Sequence, residues 1–120
     1  MLSKLLLASL ASAFAFLPSP VLARSGCGYA SHYGHGDGFA WRTMANGQPM
    51  DPSAMTTAHP TLPLGSKLLV RNPANGKSVR VTVTDRGPWY GGRILDLSTG
   101  AFSRIASTSQ GLARICFSVV

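Results

Sequence analysis

Four aspartates are the only acidic side chains of this chain, because its 120 residues include no glutamate. Asp85 stands out among them, since it lies where an alternating segment, 78–84, runs into a Gly-Pro turn. A strand end fixes the backbone while the following loop leaves the side chain accessible, which suits a catalytic group. A carboxylic acid at such a place can donate a proton to a leaving oxygen if its surroundings favour the neutral form. The sequence therefore predicts acid–base chemistry at Asp85.

The other three aspartates are predicted to hold structure. Asp51 precedes a proline, a pattern typical of a helix N-cap, and it predicts one helical turn over 53–57. Asp96 stands among apolar neighbours, so we expect a buried, hydrogen-bonded carboxylate that supports the adjacent loop. Asp37 lies in a glycine-rich loop and is expected to be solvated. On this interpretation no second carboxylate is evident beside Asp85.

Aromatic residues around the Asp85 turn are candidates for binding a sugar. Trp89 and Tyr90 follow Asp85 in a glycine-flanked turn, and Trp41 lies in an earlier loop. The C–H faces of sugar rings rest on aromatic planes, and Trp and Tyr add hydrogen-bonding edges. We expect Trp89 and Tyr90 to be exposed, whereas Tyr33 is expected in the core.

Two further polar residues are candidates for the site. His59, in a loop that leads to a strand, can assist by hydrogen-bonding a substrate or by orienting Asp85. Arg86 fits two roles equally well, binding of a substrate carboxylate and structural support of its own loop. The spacing of His32 and His35 fixes no metal geometry, and no cysteine pair contributes ligands. We therefore expect no metal and no cofactor.

The sequence predicts that these residues are positioned by short strands, which glycine and proline separate. Asn75-Gly76 is typical of a hairpin turn, and Ser98 can cap a short helix that ends near Ser107. In the last strand Ile115, Phe117 and Val119 share one face, with Cys116 on the other. Strands are predicted over 27–33, 67–72, 77–84, 93–97 and 111–120. Without a βαβ rhythm, the pattern predicts a mainly β chain, a small barrel with one or two short helices.

The ends of the chain predict export. Residues 1–23 combine one charge, Lys4, with an apolar run and small residues at the end, as in a signal peptide. Cleavage would leave one domain, 24–120, in the periplasm or outside the cell with no stable membrane anchor. In that setting Cys27 and Cys116 are predicted to form a disulfide. Lipidation of Cys27 is the alternative, but Arg24 is a poor residue ahead of a lipidated cysteine.

The charge of the chain indicates its class of partner. Eleven Lys and Arg face four Asp, a net charge of +7, and without Lys4 the charge is +6. A basic exported domain suits an anionic polymer such as a wall polysaccharide. The basic residues are scattered and form no run, so we expect no nucleic acid partner. We expect a monomer.

Three segments, in this order, resemble the double-psi β-barrel domain of the rare lipoprotein A family. They are AHPTLPLG at 58–65, TDRGPWY at 84–90 and RILDLS at 93–98, within a match that runs from Phe39 to about Leu97. The resemblance implies a six-stranded double-psi barrel and lytic transglycosylation of peptidoglycan glycan strands, which leaves 1,6-anhydro-muramic acid ends. It also implies that Asp85 and His59 belong to the active site. Expansins and some endoglucanases share the barrel more distantly.

One departure from the family pattern bears on catalysis. Family members with muralytic character carry Glu where this chain has Gln48, and glutamine can bind a sugar hydroxyl but cannot transfer a proton. Trp41, Met44 and His32 also replace the usual Gly, Thr and Trp of the family, so the groove is lined differently. Gln48 and Trp41 join Arg86 as predicted substrate-binding residues.

The sequence leaves three functions open. The first is a lytic transglycosylase with Asp85 as the acid and then the base. The second is a non-catalytic wall-binding or expansin-like wall-loosening module, which Gln48 favours. The third, hydrolysis of a β-1,4-glucan or chitin, requires a second carboxylate near Asp85.

Overall fold

The computed structural model describes residues 24–120, so the predicted signal peptide over 1–23 lies outside the described residues. Within that range, no helix is long and apolar enough to cross a membrane. There are six strands: β1 (Ser25–Tyr33), β2 (Thr56–Ala58), β3 (Lys67–Arg71), β4 (Ser78–Asp85), β5 (Arg93–Ser98) and β6 (Ala113–Val119). A short helix, α1 (Thr99–Ser103), follows β5, and a 3₁₀ turn (Thr108–Gln110) precedes β6.

The six strands close into a barrel in the order β1-β5-β2-β4-β3-β6. The pairs β1/β5 and β2/β4 are parallel, while the other four pairs are antiparallel. Closure gives each of these six strands a neighbour on both sides, which removes the open edges that invite pairing with another chain. The mainly β, six-stranded barrel predicted from the sequence is confirmed.

Strand alternation fills the barrel interior with apolar side chains. In β4 every second residue is buried, namely Val79, Val81 and Val83, while Arg80 points to solvent. β6 follows the same rule with Ile115 and Phe117, as its sequence predicts. The remaining buried core residues come from β3, β5 and the segment after β5, and they include Leu68, Val70, Leu95, Leu97, Phe102 and Ile105.

The helix after β5 begins as predicted but ends earlier. The Ser98 hydroxyl oxygen accepts a hydrogen bond from the Ala101 N–H, which caps the first turn. α1 ends at Ser103 instead of near Ser107, and the chain then turns into the 3₁₀ segment. Phe102 is fully buried and its ring lies 4.7 Å from the ring of His32. One buried aromatic therefore anchors this short helix to β1.

The helical turn predicted over 53–57 is wrong. Asp51 does cap a turn, because its Oδ1 accepts hydrogen bonds from both the N–H and the hydroxyl of Ser53. The chain then enters β2 at Thr56, between β4 and β5. Two β-branched threonines fit a strand better than a helix, and the sheet pairing on both sides outweighs a single cap.

The predicted disulfide is confirmed. Cys27 and Cys116 are directly paired residues of the antiparallel β1/β6 ladder, and their sulfur atoms are bonded. The bond links positions 89 residues apart, so it joins the beginning of the barrel to its last strand. Both cysteines are committed to this bond, which leaves Cys27 without a free thiol.

We predict that the variant C27S/C116S loses about 4 kcal/mol of unfolding free energy, because the unfolded chain regains the entropy of an open loop of this length. Urea unfolding followed by tryptophan fluorescence measures the change. The matched control is S25A/S118A, a pair two positions along the same ladder, which should unfold near the wild-type midpoint. A Cys variant as stable as the wild type would contradict the prediction.

Candidate functional site

A cavity of about 330 Å³ opens at the ends of β4 and β5, and we refer to it as the site cavity. Two of its walls are aromatic, contributed by Tyr33, Phe39, Trp89 and Tyr90. Four charged residues also line it, namely Asp85, Arg86, Arg93 and Asp96. A cleft with apolar walls and a few converging charged groups is the common form of a small-molecule or sugar site.

The Asp85 carboxylate is held by three hydrogen bonds. Its Oδ1 accepts from the backbone N–H of Ala45 at 3.0 Å and from that of Arg86 at 2.9 Å. Its Oδ2 accepts from the Tyr33 hydroxyl at 2.9 Å. All three partners donate, so the side chain is fixed in one orientation as an acceptor. Asp85 is therefore a positioned carboxylate at the mouth of the barrel.

A register shift aims Asp85 into the site cavity. Thr57 pairs with Val83, but the next residue of β2, Ala58, pairs with Asp85, so Thr84 is an extra residue in β4. Strict alternation would put Asp85 on the same face as Val81 and Val83, which point into the core. An extra residue of this kind turns the following side chain to the other face. The bulge thus converts a core position into a site position.

Asp96 lines the same cavity. Ala58 of β2 is paired with Asp85 on one side and with Asp96 on the other, so the two aspartates flank it across the sheet. Two strand spacings put their Cα atoms about 9–10 Å apart. The expected hydrogen bonding of Asp96 agrees with its bond from the Ser31 hydroxyl, but the expectation that no second carboxylate lies near Asp85 is wrong, because β2 brings the two strands together. Sequence reasoning missed the pairing because it missed β2.

The two carboxyl groups have different surroundings. Burial raises the pKa of Asp96, and this effect outweighs the opposing hydrogen bond from the Ser31 hydroxyl and the positive charges of Arg93 and His32. The Ser31 hydroxyl donates to Oδ1 at 3.0 Å, so a proton on Asp96 belongs on Oδ2. Asp96 is thus the carboxyl group of the cavity that is disposed to carry a proton.

Tyr33 is a site residue that the sequence did not reveal. Its ring is buried, in agreement with the expected core position, but its hydroxyl reaches the Asp85 carboxylate. Burial, and next the hydrogen bond to Asp85, raise the pKa of the Tyr33 phenol strongly, so it stays a hydrogen-bond donor. Nothing in the alternation of 27–33 separates a core tyrosine from one whose hydroxyl meets a carboxylate of another strand.

Arg86 contacts the backbone. Its Nη1 donates to the carbonyl oxygens of His59 and Leu62, at 3.1 and 2.7 Å, and so joins the Asp85 loop to the loop before β3. These bonds favour the structural one of its two predicted roles. Beyond it, Trp89 and Tyr90 are 72% and 70% exposed and stand beside the cavity, as predicted.

His59 lies behind the site cavity instead of lining it. Its Nδ1 accepts hydrogen bonds from the N–H groups of Thr61 and Leu62, so its proton belongs on Nε2. Burial, and next the charge of Arg86, lower the pKa of the imidazole and keep it neutral. Its connection to Asp85 is through the backbone, where the His59 N–H donates to the Asp85 carbonyl at 3.1 Å. The side chain thus stabilises the loop that adjoins the catalytic candidate.

Gln48 lies on a hairpin near Asp85 and Trp41 lies just before that hairpin, and neither is among the lining residues of the cavity in the described chain. The hairpin runs over 43–49, with Thr43 bridged to Pro49, and the Ala45 N–H ties it to Asp85. Gln48 is exposed at its far side. Trp41 is 65% exposed and has a positive φ of 67°, an unusual conformation for a residue with a side chain.

The histidines weighed as metal ligands have other partners. His32 contacts the Thr99 hydroxyl through Nδ1 and the Thr108 carbonyl through Nε2, each at 3.1 Å. Asp37 accepts from the N–H groups of Gly34 and Phe39, so it closes its loop instead of being merely solvated. Within residues 24–120 there is no group of three or more potential metal ligands.

Two solved structures with this fold belong to proteins of different function, an expansin and a protease inhibitor. An expansin of Clavibacter michiganensis, crystallised as a point mutant in complex with cellohexaose, aligns with a TM-score of 0.63 at 25% identity. The alignment covers 80% of this chain and 50% of the expansin. A Streptomyces papain inhibitor aligns with a TM-score of 0.62 at 27% identity, covering 80% of this chain and 94% of the inhibitor.

Sequence comparison gives a closer relationship. The endolytic peptidoglycan transglycosylase RlpA of Pseudomonas aeruginosa is 47% identical over 88 residues, which are 73% of this chain and 25% of that protein. This chain thus spans about a quarter of the length of such curated relatives. The family model described as lytic transglycolase matches residues 25–117, nearly the whole barrel. The chain therefore belongs to the lytic transglycolase family of double-psi β-barrel domains.

Proposed function

We propose that this domain cleaves the glycan strands of peptidoglycan by lytic transglycosylation. The observation that carries the proposal is the placement of two aspartates, Asp85 and Asp96, on either side of Ala58 in one aromatic-walled cavity. The relatives named as peptidoglycan transglycosylases support the choice of polymer. The expansin complex with cellohexaose supports a sugar chain as the occupant of this fold.

The reaction requires one proton donor and one proton acceptor. The 6-hydroxyl of muramic acid attacks C1 of the same sugar, the C1–O bond to the next sugar breaks, and a 1,6-anhydro ring forms. Asp96, whose pKa burial raises, supplies a proton to the departing oxygen. Asp85, oriented by three donors, accepts the proton of the attacking hydroxyl. The proton donor and the proton acceptor are thus two different carboxyl groups, whereas the sequence predicted that Asp85 alone has both roles.

Ala58 is suited to the space between these groups. It is paired with both aspartates, and its small side chain lines the cavity with them. A longer side chain at this position would fill the gap that the reacting sugar needs. Ala58 also packs with Tyr33, Met44 and Met50 in a small buried cluster below the cavity. That cluster supports two of the three elements that hydrogen-bond to Asp85, namely β1 and the 43–49 hairpin.

The remaining predicted site residues have supporting parts in the proposal. Trp89 and Tyr90 offer exposed rings on which sugar faces rest. Arg86 and His59 hold the loops that carry them, through backbone carbonyls and N–H groups. Gln48, on the 43–49 hairpin, and Trp41, just before it, are exposed and would contact a longer glycan. We infer that the protein acts as an exported monomer at the cell wall. The disulfide supports export, because such bonds persist in oxidising compartments.

A second function keeps the same groove without chemistry. Gln48 replaces an acidic residue of the family, and the expansin likeness supports a polysaccharide-binding module. On this alternative the glycan is bound and released uncut. Hydrolysis of a neutral glucan gains plausibility from the second carboxylate, but the curated relatives carry peptidoglycan names.

We predict that D85N and D96N each lower the cleavage rate by about 10²- to 10⁴-fold, the usual contribution of a general acid or base. The assay digests stem-peptide-free glycan strands and quantifies anhydro-ended products by mass spectrometry. D51N is the matched control, because this exposed aspartate holds only its own turn. Full activity of D96N would refute the two-carboxylate mechanism, and full activity of D85N would refute the site.

We predict a loss of kcat/KM as the pH rises through the pKa of Asp96. The protonated form is the active acid, and burial raises this pKa above the value of about 4 for an ordinary aspartate. Activity from Asp96 is therefore complete below its pKa and lost above it. The pH–rate profile of the wild type measures this limb, and the residual activity of D96N should lack it. If D96N loses kcat/KM over the same pH range as the wild type, a group other than Asp96 causes the loss.

We predict that Q48E changes the cleavage rate by less than about tenfold, because Asp85 and Asp96 already supply the proton transfers. Q110E, at an exposed glutamine of the 3₁₀ turn, is the control for added negative charge. If the wild type is inactive and Q48E is active, the catalytic acid is instead the carboxyl group that this chain lacks at position 48. That result would assign the natural protein to the binding class.

A further inference from the structure

Two arginines line the site cavity, and they differ in what their side chains contact. The Nη1 of Arg86 is committed to two backbone carbonyl oxygens. Arg93 instead lies over the ring of Tyr90, with its Cζ 5.1 Å from the ring centroid, and is half-buried. Within residues 24–120 its guanidinium makes no salt bridge and donates no side-chain hydrogen bond, so its N–H groups remain available to a ligand.

A second register shift turns Arg93 toward the cavity. Tyr29 of β1 pairs with Arg93, but the next residue, Ala30, pairs with Leu95, so Ile94 is an extra residue in β5. Strict alternation would place Arg93 on the core face with Leu95. The shift releases it from that face, and it lines the cavity with Asp96. The fold thus uses one irregularity to place Asp85 and another to place Arg93.

The aspartates of the cavity make a positively charged side chain necessary if the ligand carries a carboxylate. Asp85 and Asp96 both face the cavity, so Asp85, and Asp96 whenever it is ionised, would repel a carboxylate that arrives with a substrate. Arg93 lies close enough to Asp96 to oppose the upward shift of its pKa. The guanidinium of Arg93 lies over the Tyr90 ring, and its N–H donors share one plane, which matches the two oxygens of a carboxylate.

We infer that Arg93, supported by Tyr90, forms a subsite for a carboxylate carried by the sugar next to the cleaved bond. In the proposed substrate this group is the lactyl carboxylate of a muramic acid that bears no peptide. The inference rests on the proposed function and deepens it by naming the substrate group that is bound. Arg93 is then a specificity-determining residue, distinct from the two aspartates that transfer protons.

The test compares two forms of one polymer. Stem-peptide-free glycan strands are used as prepared, and a second portion has its lactyl carboxylates chemically reduced to alcohols. Binding is measured by calorimetry with D85N, which slows cleavage during the titration, and KM and kcat are measured with the otherwise wild-type protein. We expect the carboxylate form to bind about 10- to 100-fold more tightly than the reduced form, as for a charge-assisted hydrogen-bonded pair.

Three variants separate recognition from other roles of Arg93. R93Q should bind the two polymers equally, with the loss appearing in KM, while R93K should keep part of the preference because it retains charge without the planar fork. R80Q, at an exposed arginine of β4 that does not line the site cavity, is the matched control and should keep the full preference. If Arg93 only tunes Asp96, R93Q would shift the pH profile equally on both polymers.

The outcomes distinguish this inference from the proposed function. Equal binding of both polymers by the protein that retains Arg93 would overturn the carboxylate subsite while leaving cleavage in place. A preference that persists in R93Q would assign recognition to another residue and would also overturn it. Failure to bind or cleave either form would overturn the proposed function and this inference together.

Discussion

The three hydrogen bonds to the Asp85 carboxylate join segments that are distant along the chain. They come from Tyr33 at the end of β1, from Ala45 in the 43–49 hairpin and from Arg86 in the loop after β4. A half-buried carboxylate needs such donors, because its transfer from water is unfavourable without them. Other contacts act on the same segments: the Asn46 N–H of the hairpin donates to the Thr84 carbonyl at 3.1 Å, and Arg86 ties the loop to the carbonyls of His59 and Leu62. The same carboxylate that is proposed to move a proton therefore also organises the surface around it.

This dependence explains why the barrel interrupts its own alternation at two places. A regular β4 would direct residue 85 inward with the valines, where a charged side chain would have no partner among apolar neighbours. The extra residue at Thr84 rotates it outward to its three donors, and Ile94 has the corresponding position in β5. Both irregularities occur where parallel pairs join the strands. The regular parts of the barrel supply the rigidity that such local departures require.

The sequence predicted the barrel well because its signals are local. Alternating valines, the Asn75-Gly76 turn and the Ser98 cap each depend on neighbours within a few residues. It failed at β2, because three residues carry too little pattern and the capping signal at Asp51 favoured a helix. Because β2 was not predicted, the closeness of Asp96 to Asp85 was not predicted either, since β2 pairs with the strands of both residues. Tyr33 and Arg93 were missed for a related reason, as contacts between strands and a register shift leave no mark in the alternation of one strand.

The absence of an acidic side chain at Gln48 is easier to understand once the charges of the cavity are known. Asp85 accepts three hydrogen bonds, whereas Asp96 is half-buried with one hydroxyl partner, so the two carboxyl groups already have different surroundings that suit an acceptor and a donor of a proton. A third carboxylate on the neighbouring hairpin would have no vacant role in proton transfer, because the two aspartates of the cavity already supply a donor and an acceptor. A neutral, hydrogen-bonding residue at the rim is therefore compatible with catalysis in this chain.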